Sequence, residues 1–190
     1  MIFHPALAEY ARLASNPKQA HETSSKTPRN GFFFAGSLVV HQRLPVFSAV
    51  GDVYRFLATG EQTGGAYVLS EARVLPGGGP PPHIHHREDE AFFVLEGEII
   101  FNLDGKKITA RAGSFVQGPR GVPHGFKNES NAPARMLILV TPPGFEKFIA
   151  EFAQPVPSFD SPPVPVTPAD IQKHLAIAPK YGMEILPPPH

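Results

Sequence analysis

Between about Gly31 and Val140 the chain is a series of short apolar runs separated by Gly, Pro, Asn and Asp. The runs are Gly51 to Leu57, Ala66 to Leu75, Glu90 to Leu95, Glu98 to Leu103, Lys106 to Ala110, Ser114 to Gln117, His124 to Asn128 and Ala134 to Val140. Runs this short, recurring every 8–12 residues or so with turn signals between them, predict an all-β sandwich or barrel. Asp104-Gly105 between two such runs predicts a tight hairpin. Thirteen of the 17 glycines fall between 51 and 125, where tight turns need them.

The rest of the sequence sets limits. With 190 residues the chain is long enough for one real core. It has no Cys, which excludes disulfide scaffolds, thiolate metal sites and Cys nucleophiles. Its 17 basic and 17 acidic side chains balance, so no electrostatic footprint for nucleic acid or an anionic membrane is expected. No apolar run approaches the roughly 20 residues of a membrane helix. The start, Met1-Ile2-Phe3-His4-Pro5, lacks a basic region ahead of an apolar one, and a cytoplasmic location is the expectation.

Composition divides the chain into an N-terminal arm over 1–30, a barrel over 31–141 and a tail over 142–190 that packs on the barrel. The arm holds a short helix pattern from Ala6 to Ala14 and a polar stretch from His21 to Asn30. In the tail, Pro142-Pro143 is expected to open a helix in which Phe145, Phe148, Ile149 and Phe152 repeat at helical spacing. Twelve of the 23 prolines lie from 142 onward, and 154–168 is expected to run extended over the surface without regular structure. Thr167-Pro168-Ala169-Asp170 reads as a helix cap with an acid at its third position, for a short helix to about Ala178. Tyr181 to Leu186 reads as a last strand. Sheet edges and an extended stretch over 15–48 suggest a homodimer.

Four of the nine histidines lie between 83 and 124. His83 and His85 are one residue apart, which in a strand puts both on one face. Glu90 opens the next run, and His124 starts a later one. Strands lining one barrel can bring these three imidazoles and one carboxylate together. That donor set suits one divalent transition metal per chain, Fe, Ni, Mn, Cu or Zn. Four protein donors leave positions for water or substrate, as catalytic rather than structural sites do.

The spacing carries a family resemblance. Gly77, His83, His85, Glu90 and Gly97 match the first motif of the cupin superfamily, and Gly113, Pro119, Gly121, His124 and Asn128 match its second. The tail from Thr141-Pro142-Pro143-Gly144-Phe145-Glu146-Lys147-Phe148 onward resembles that of single-domain bacterial quercetin 2,3-dioxygenase-like cupins. The resemblance implies a jelly-roll barrel, or double-stranded β-helix, with short C-terminal helices. It implies His83, His85, Glu90 and His124 as metal ligands. It also implies a dioxygenase that takes dioxygen and a small apolar or aromatic substrate such as a flavonol or another enol, with Glu90 as the catalytic base. A non-oxidative cupin such as an isomerase, or a small-molecule-binding or sensing module, is the alternative.

Around the ligands, Glu88 and Asp89 compete with Glu90, but Glu90 fits both motif gaps. Phe92 shares a face with Glu90 and Phe126 with His124, which makes them the first candidates for lining a substrate pocket. Phe101 and Phe115 are further candidates, with plain barrel core as the other reading of each. His86 points away from the ligand pair, at the rim or toward substrate. Asn128 is expected to close a strand end. Gly77 to Pro82 is expected to be a loop feeding the histidine strand or a rim of the pocket.

Overall fold

The computed structural model describes residues 44–187. The arm over 1–30, its helix pattern and most of the stretch 15–48 lie outside the described residues. Among the described residues ten strands precede the first helix: β1 (Val46–Ala49), β2 (Asp52–Ala58), β3 (Val68–Val74), β4 (His83–His85), β5 (Asp89–Glu96), β6 (Glu98–Leu103), β7 (Lys106–Arg111), β8 (Phe115–Gly118), β9 (His124–Lys127) and β10 (Ala134–Thr141). Helix α1 (Phe145–Phe152), β11 (Gln154–Val156), α2 (Pro168–Ile177) and β12 (Met183–Ile185) follow. One antiparallel sheet runs β11-β1-β2-β3-β10-β5-β8, and the other β12-β4-β9-β6-β7. This is the expected jelly roll. Among the described residues no helix is long and apolar enough to cross a membrane.

Alternation along the strands builds the core. In β5, Glu90, Phe92 and Val94 are buried while Phe93 and Leu95 are exposed. In β10, Ala134, Met136, Ile138 and Val140 are buried and the residues between them are half-buried. Each large side chain so enclosed contributes roughly 1.5–3 kcal/mol. Gly97 carries the chain from β5 in one sheet to β6 in the other. Its φ is 78°, and a Cβ there would lie 2.9 Å from the Cβ of Ala134, so both backbone and space require glycine. Asp104 and Gly105 have φ of 50° and 76°, the left-handed pair of the expected hairpin between β6 and β7.

The tail departs from expectation at one point. Gln154–Val156 joins the first sheet against β1, with Val46 opposite Val156. Pro155 is tolerated because β11 is an edge strand, where a missing N–H is not needed for the ladder. From there the chain runs extended. Arg73 donates to the carbonyls of Phe159 and Ser161, and Val164 N donates to Ser48 Oγ at 2.9 Å. Arg55 lies 4.5 Å from the centre of the Phe159 ring while also pairing, like Arg135, with buried Glu71. Thr167 and Asp170 form the expected reciprocal cap of α2. Strand β12 pairs with β4, Met183 opposite His85 and Ile185 opposite His83, so the tail gives the histidine strand a second neighbour besides β9.

The approach to that strand is held by a buried acid. Asp52 is fully buried, and its Oδ1 accepts from Leu75 N at 3.1 Å. Its Oδ2 has no partner. Burial pushes its pKa up to about 7 against the opposing pull of the Leu75 and Gly79 N–H groups and the Arg73 charge. A folded-state pKa above the unfolded value means that the folded chain binds the proton more tightly. This acid therefore favours folding fully at low pH and loses that contribution as pH rises from about 4 to about 7, on the order of 4 kcal/mol in all. The Asp52→Asn protein cannot ionise there. Its stability advantage over the wild type, measured by urea melts, should grow from pH 4 to pH 7 and then level; a constant difference across that range contradicts the assignment.

Candidate metal centre

Two short strands and one longer one deliver the site. In β4, His83 and His85 point inward and Ile84 between them faces outward, half-buried. His124 opens β9 directly opposite His83 in the ladder. Glu90 comes from β5 in the facing sheet, where its cross-strand partner is Gly118. A Cβ at Gly118 would sit 3.2 Å from His124 Nε2, so the absent side chain leaves the imidazole its space. Gly121 N donates to the His85 carbonyl and Val122 N to that of Pro119, which closes the expected turn into β9. Asn128 is buried and bonds Val74 O, Ala132 O and Ser130, so it closes the strand end as expected.

The four side chains are all buried, and one potential donor atom from each lies within 4.8 Å of the others. Glu90 Oε2 is 3.0 Å from His124 Nε2, 3.4 Å from His85 Nε2 and 3.9 Å from His83 Nε2. The outer nitrogens are engaged elsewhere. His83 Nδ1 lies 2.9 Å from Pro81 O and His124 Nδ1 2.9 Å from Val122 O. His85 Nδ1 lies 3.3 Å from Glu88 Oε2. A carbonyl only accepts, so His83 and His124 carry their proton on Nδ1 and turn a lone pair inward. Inward lone pairs beside a carboxylate repel unless a cation or a proton lies among them. His85 Nε2, buried with no hydrogen-bond partner, marks the same demand. Two bonds of about 2.1 Å to one metal ion hold their donor atoms about 3–4 Å apart. The arrangement fits a divalent metal.

The charges agree. Burial disfavours ionised Glu90, but the three imidazoles that face it, His124, His83 and His85, hold its carboxyl well below the usual range. Burial pushes His83 below the ordinary imidazole value. His85 is desolvated too, yet Glu88 and Glu90 on either side raise it to about 9.

Glu90, not Glu88 or Asp89, joins the cluster. Glu88 stands behind His85, and Asp89 faces outward to accept from Arg120 N at 2.9 Å. Of the four candidate phenylalanines, Phe126 lines the cavity that adjoins His83 and Glu90. Phe92 and Phe101 pack with it in the core, their ring centres 4.9 Å apart, and Phe92 lies 6.3 Å from His124. Phe115 lies on the outer face, 65% exposed opposite Phe93, because Val116 takes the inward position against Phe92. His86 is also exposed and pairs with Glu184 at 3.0 Å. The loop 77–82 feeds β4 as expected, with Pro80 at the cavity.

The remaining walls were not read from the sequence as cavity residues. Tyr54 comes from β2, Phe145, Phe148 and Phe152 from α1, His174 from α2 and Met183 from β12. The helical spacing of the phenylalanines announced an apolar face on α1 but not what it covers. The cavity is about 40 Å³.

Glu88 holds His85 from behind without joining the cluster. Replacing it by Gln removes the charge behind His85 and should weaken metal binding about 10–100-fold, measured by competition with a chromogenic chelator. Unchanged affinity would leave Glu88 without that role.

The cupin domain family matches residues 70–140. An uncharacterised protein of Methanocaldococcus jannaschii is 32% identical over 75 residues, 40% of this chain and 60% of that one. Quercetin 2,3-dioxygenase of Bacillus subtilis is 26% identical over 106 residues, 55% of this chain and 31% of that enzyme. The chain thus spans less than two thirds of the curated relatives it matches. Among solved structures, an RmlC-like cupin from Shewanella frigidimarina aligns with a TM-score of 0.49 and 19% identity, over 60% of this chain and 96% of that one. Residues 70–140, which match the cupin domain, thus carry both motifs, folded onto one buried His/Glu cluster between two antiparallel sheets.

Proposed function

We propose that the protein is a metal-dependent dioxygenase acting on a flavonol-like or other small enolic or aromatic substrate. The observation that carries this reading is that two members of the buried cluster, His83 and Glu90, line a cavity whose other walls are mostly aromatic and aliphatic. Such walls exclude water and take a flat apolar ring system. Likeness to a quercetin 2,3-dioxygenase supports the choice of substrate class.

A divalent transition metal held by His83, His85, Glu90 and His124 would supply Lewis acidity toward an enol or phenol oxygen and a meeting point for dioxygen. The chain supplies the rest. Pro81 O, Val122 O and Glu88 fix the three imidazoles. Glu90 is ionised, and its carboxylate takes the hydroxyl proton of the substrate. Phe126 and the α1 phenylalanines hold the ring away from solvent.

Oxygen uptake by protein loaded in turn with Fe, Mn, Ni, Cu and Zn, against a panel of flavonols and small enols, tests the reading. At least one metal form should consume oxygen with the substrate. The Glu90→Gln protein, compared at equal metal content, should lose about 100-fold or more of that turnover. Full turnover in this variant overturns the base role, and substrate conversion without oxygen uptake overturns the dioxygenase reading.

A further inference from the structure

Half of the cavity lining comes from the C-terminal segment, and α2 contributes one side chain to it, His174. The choice is unusual for a packing residue. Ile171 and Leu175 of the same helix are 49% and 42% exposed, while His174 is 6% exposed. Its ring stacks on Phe152, centres 4.6 Å apart and planes 13° from parallel, and leans on Phe148 at 5.5 Å. Among the described residues nothing hydrogen-bonds its ring nitrogens, and burial, with a smaller effect from His83, lowers its pKa to about 4. It is therefore a neutral imidazole with one N–H donor and one acceptor. Its ring nitrogens are left free to bond a molecule in the cavity that it lines, which a leucine or phenylalanine could not do.

His174 also stands where the wall is thin. With Val50 and Phe152 it lines both the cavity and a surface cleft on the other side. A ligand in this cavity therefore meets His83 and Glu90 on one side and His174 on another.

We propose that His174 is a substrate-positioning residue, whose imidazole hydrogen-bonds a hydroxyl on the end of the ligand that lies away from the metal centre. The inference rests on the flavonol-like reading above. Its consequence is a preference: two ligands with the same chelating edge are told apart by their remote hydroxyls.

Quercetin and 3-hydroxyflavone share the 3-hydroxyl and 4-carbonyl edge and differ in the hydroxyls on their other positions. Each is titrated anaerobically onto metal-loaded protein, following the shift of the flavonol absorption band. Wild type should bind quercetin the tighter. His174→Phe, which keeps the stack on Phe152, and His174→Leu should weaken quercetin about tenfold, leave 3-hydroxyflavone within about twofold and leave metal content unchanged. His174→Gln should recover most of the quercetin affinity. Equal losses for both flavonols, or no loss for either, overturn the role of His174. A wild type that binds neither flavonol overturns the flavonol reading itself and this inference with it, and shows as a blank before any variant is compared.

Discussion

Three imidazole nitrogens and a carboxylate oxygen crowd together inside this protein, and their outer partners leave them no other direction to face. Backbone carbonyls of Pro81 and Val122 and the carboxylate of Glu88 hold the rings from behind. The sheets hold them from the sides, since His83 pairs with His124 across one ladder and Glu90 faces Gly118 across the other. A cluster of this kind is costly unless a cation completes it. Much of the surrounding structure follows from keeping it in register: the glycine at 118, the turn at 119–122 and the buried Asp52 under the loop that feeds β4.

The cluster itself was legible because strand geometry converts spacing into direction. His-x-His puts two rings on one face, and the motif resemblance supplied Glu90, from the facing sheet, and His124, from the adjacent strand. Local signals were legible for the same reason, as at Asp104-Gly105 and at the Thr167–Asp170 cap. What failed to show depends on contacts distant in sequence. Phe115 alternates like its neighbours, but β8 turns Val116 inward. The short ladder of β11 needs β1, more than 100 residues earlier. Glu71 looks like a misplaced charge until Arg55 and Arg135 from the two flanking strands are seen on it.

The tail has two duties that its proline content hides. Strand β12 extends the histidine strand, and helices α1 and α2 close the cavity beside it. The buried cluster and the cavity beside it thus draw on different parts of the described chain: β4, β5 and β9 provide the three imidazoles and the carboxylate, while residues beyond 144 provide half of the cavity lining. A change in the tail should alter which ligands are accepted more readily than which metal is held.

The central claim is that the buried cluster holds a metal ion. Elemental analysis of protein purified without added metal, then dialysed against each first-row divalent ion in turn, tests it most directly. The account predicts one tightly held ion per chain in the wild type, and loss of that ion on His124→Ala without loss of the β-sheet signal in circular dichroism. Persistent absence of bound metal at saturating supply, or full occupancy in the His124→Ala protein, would contradict it.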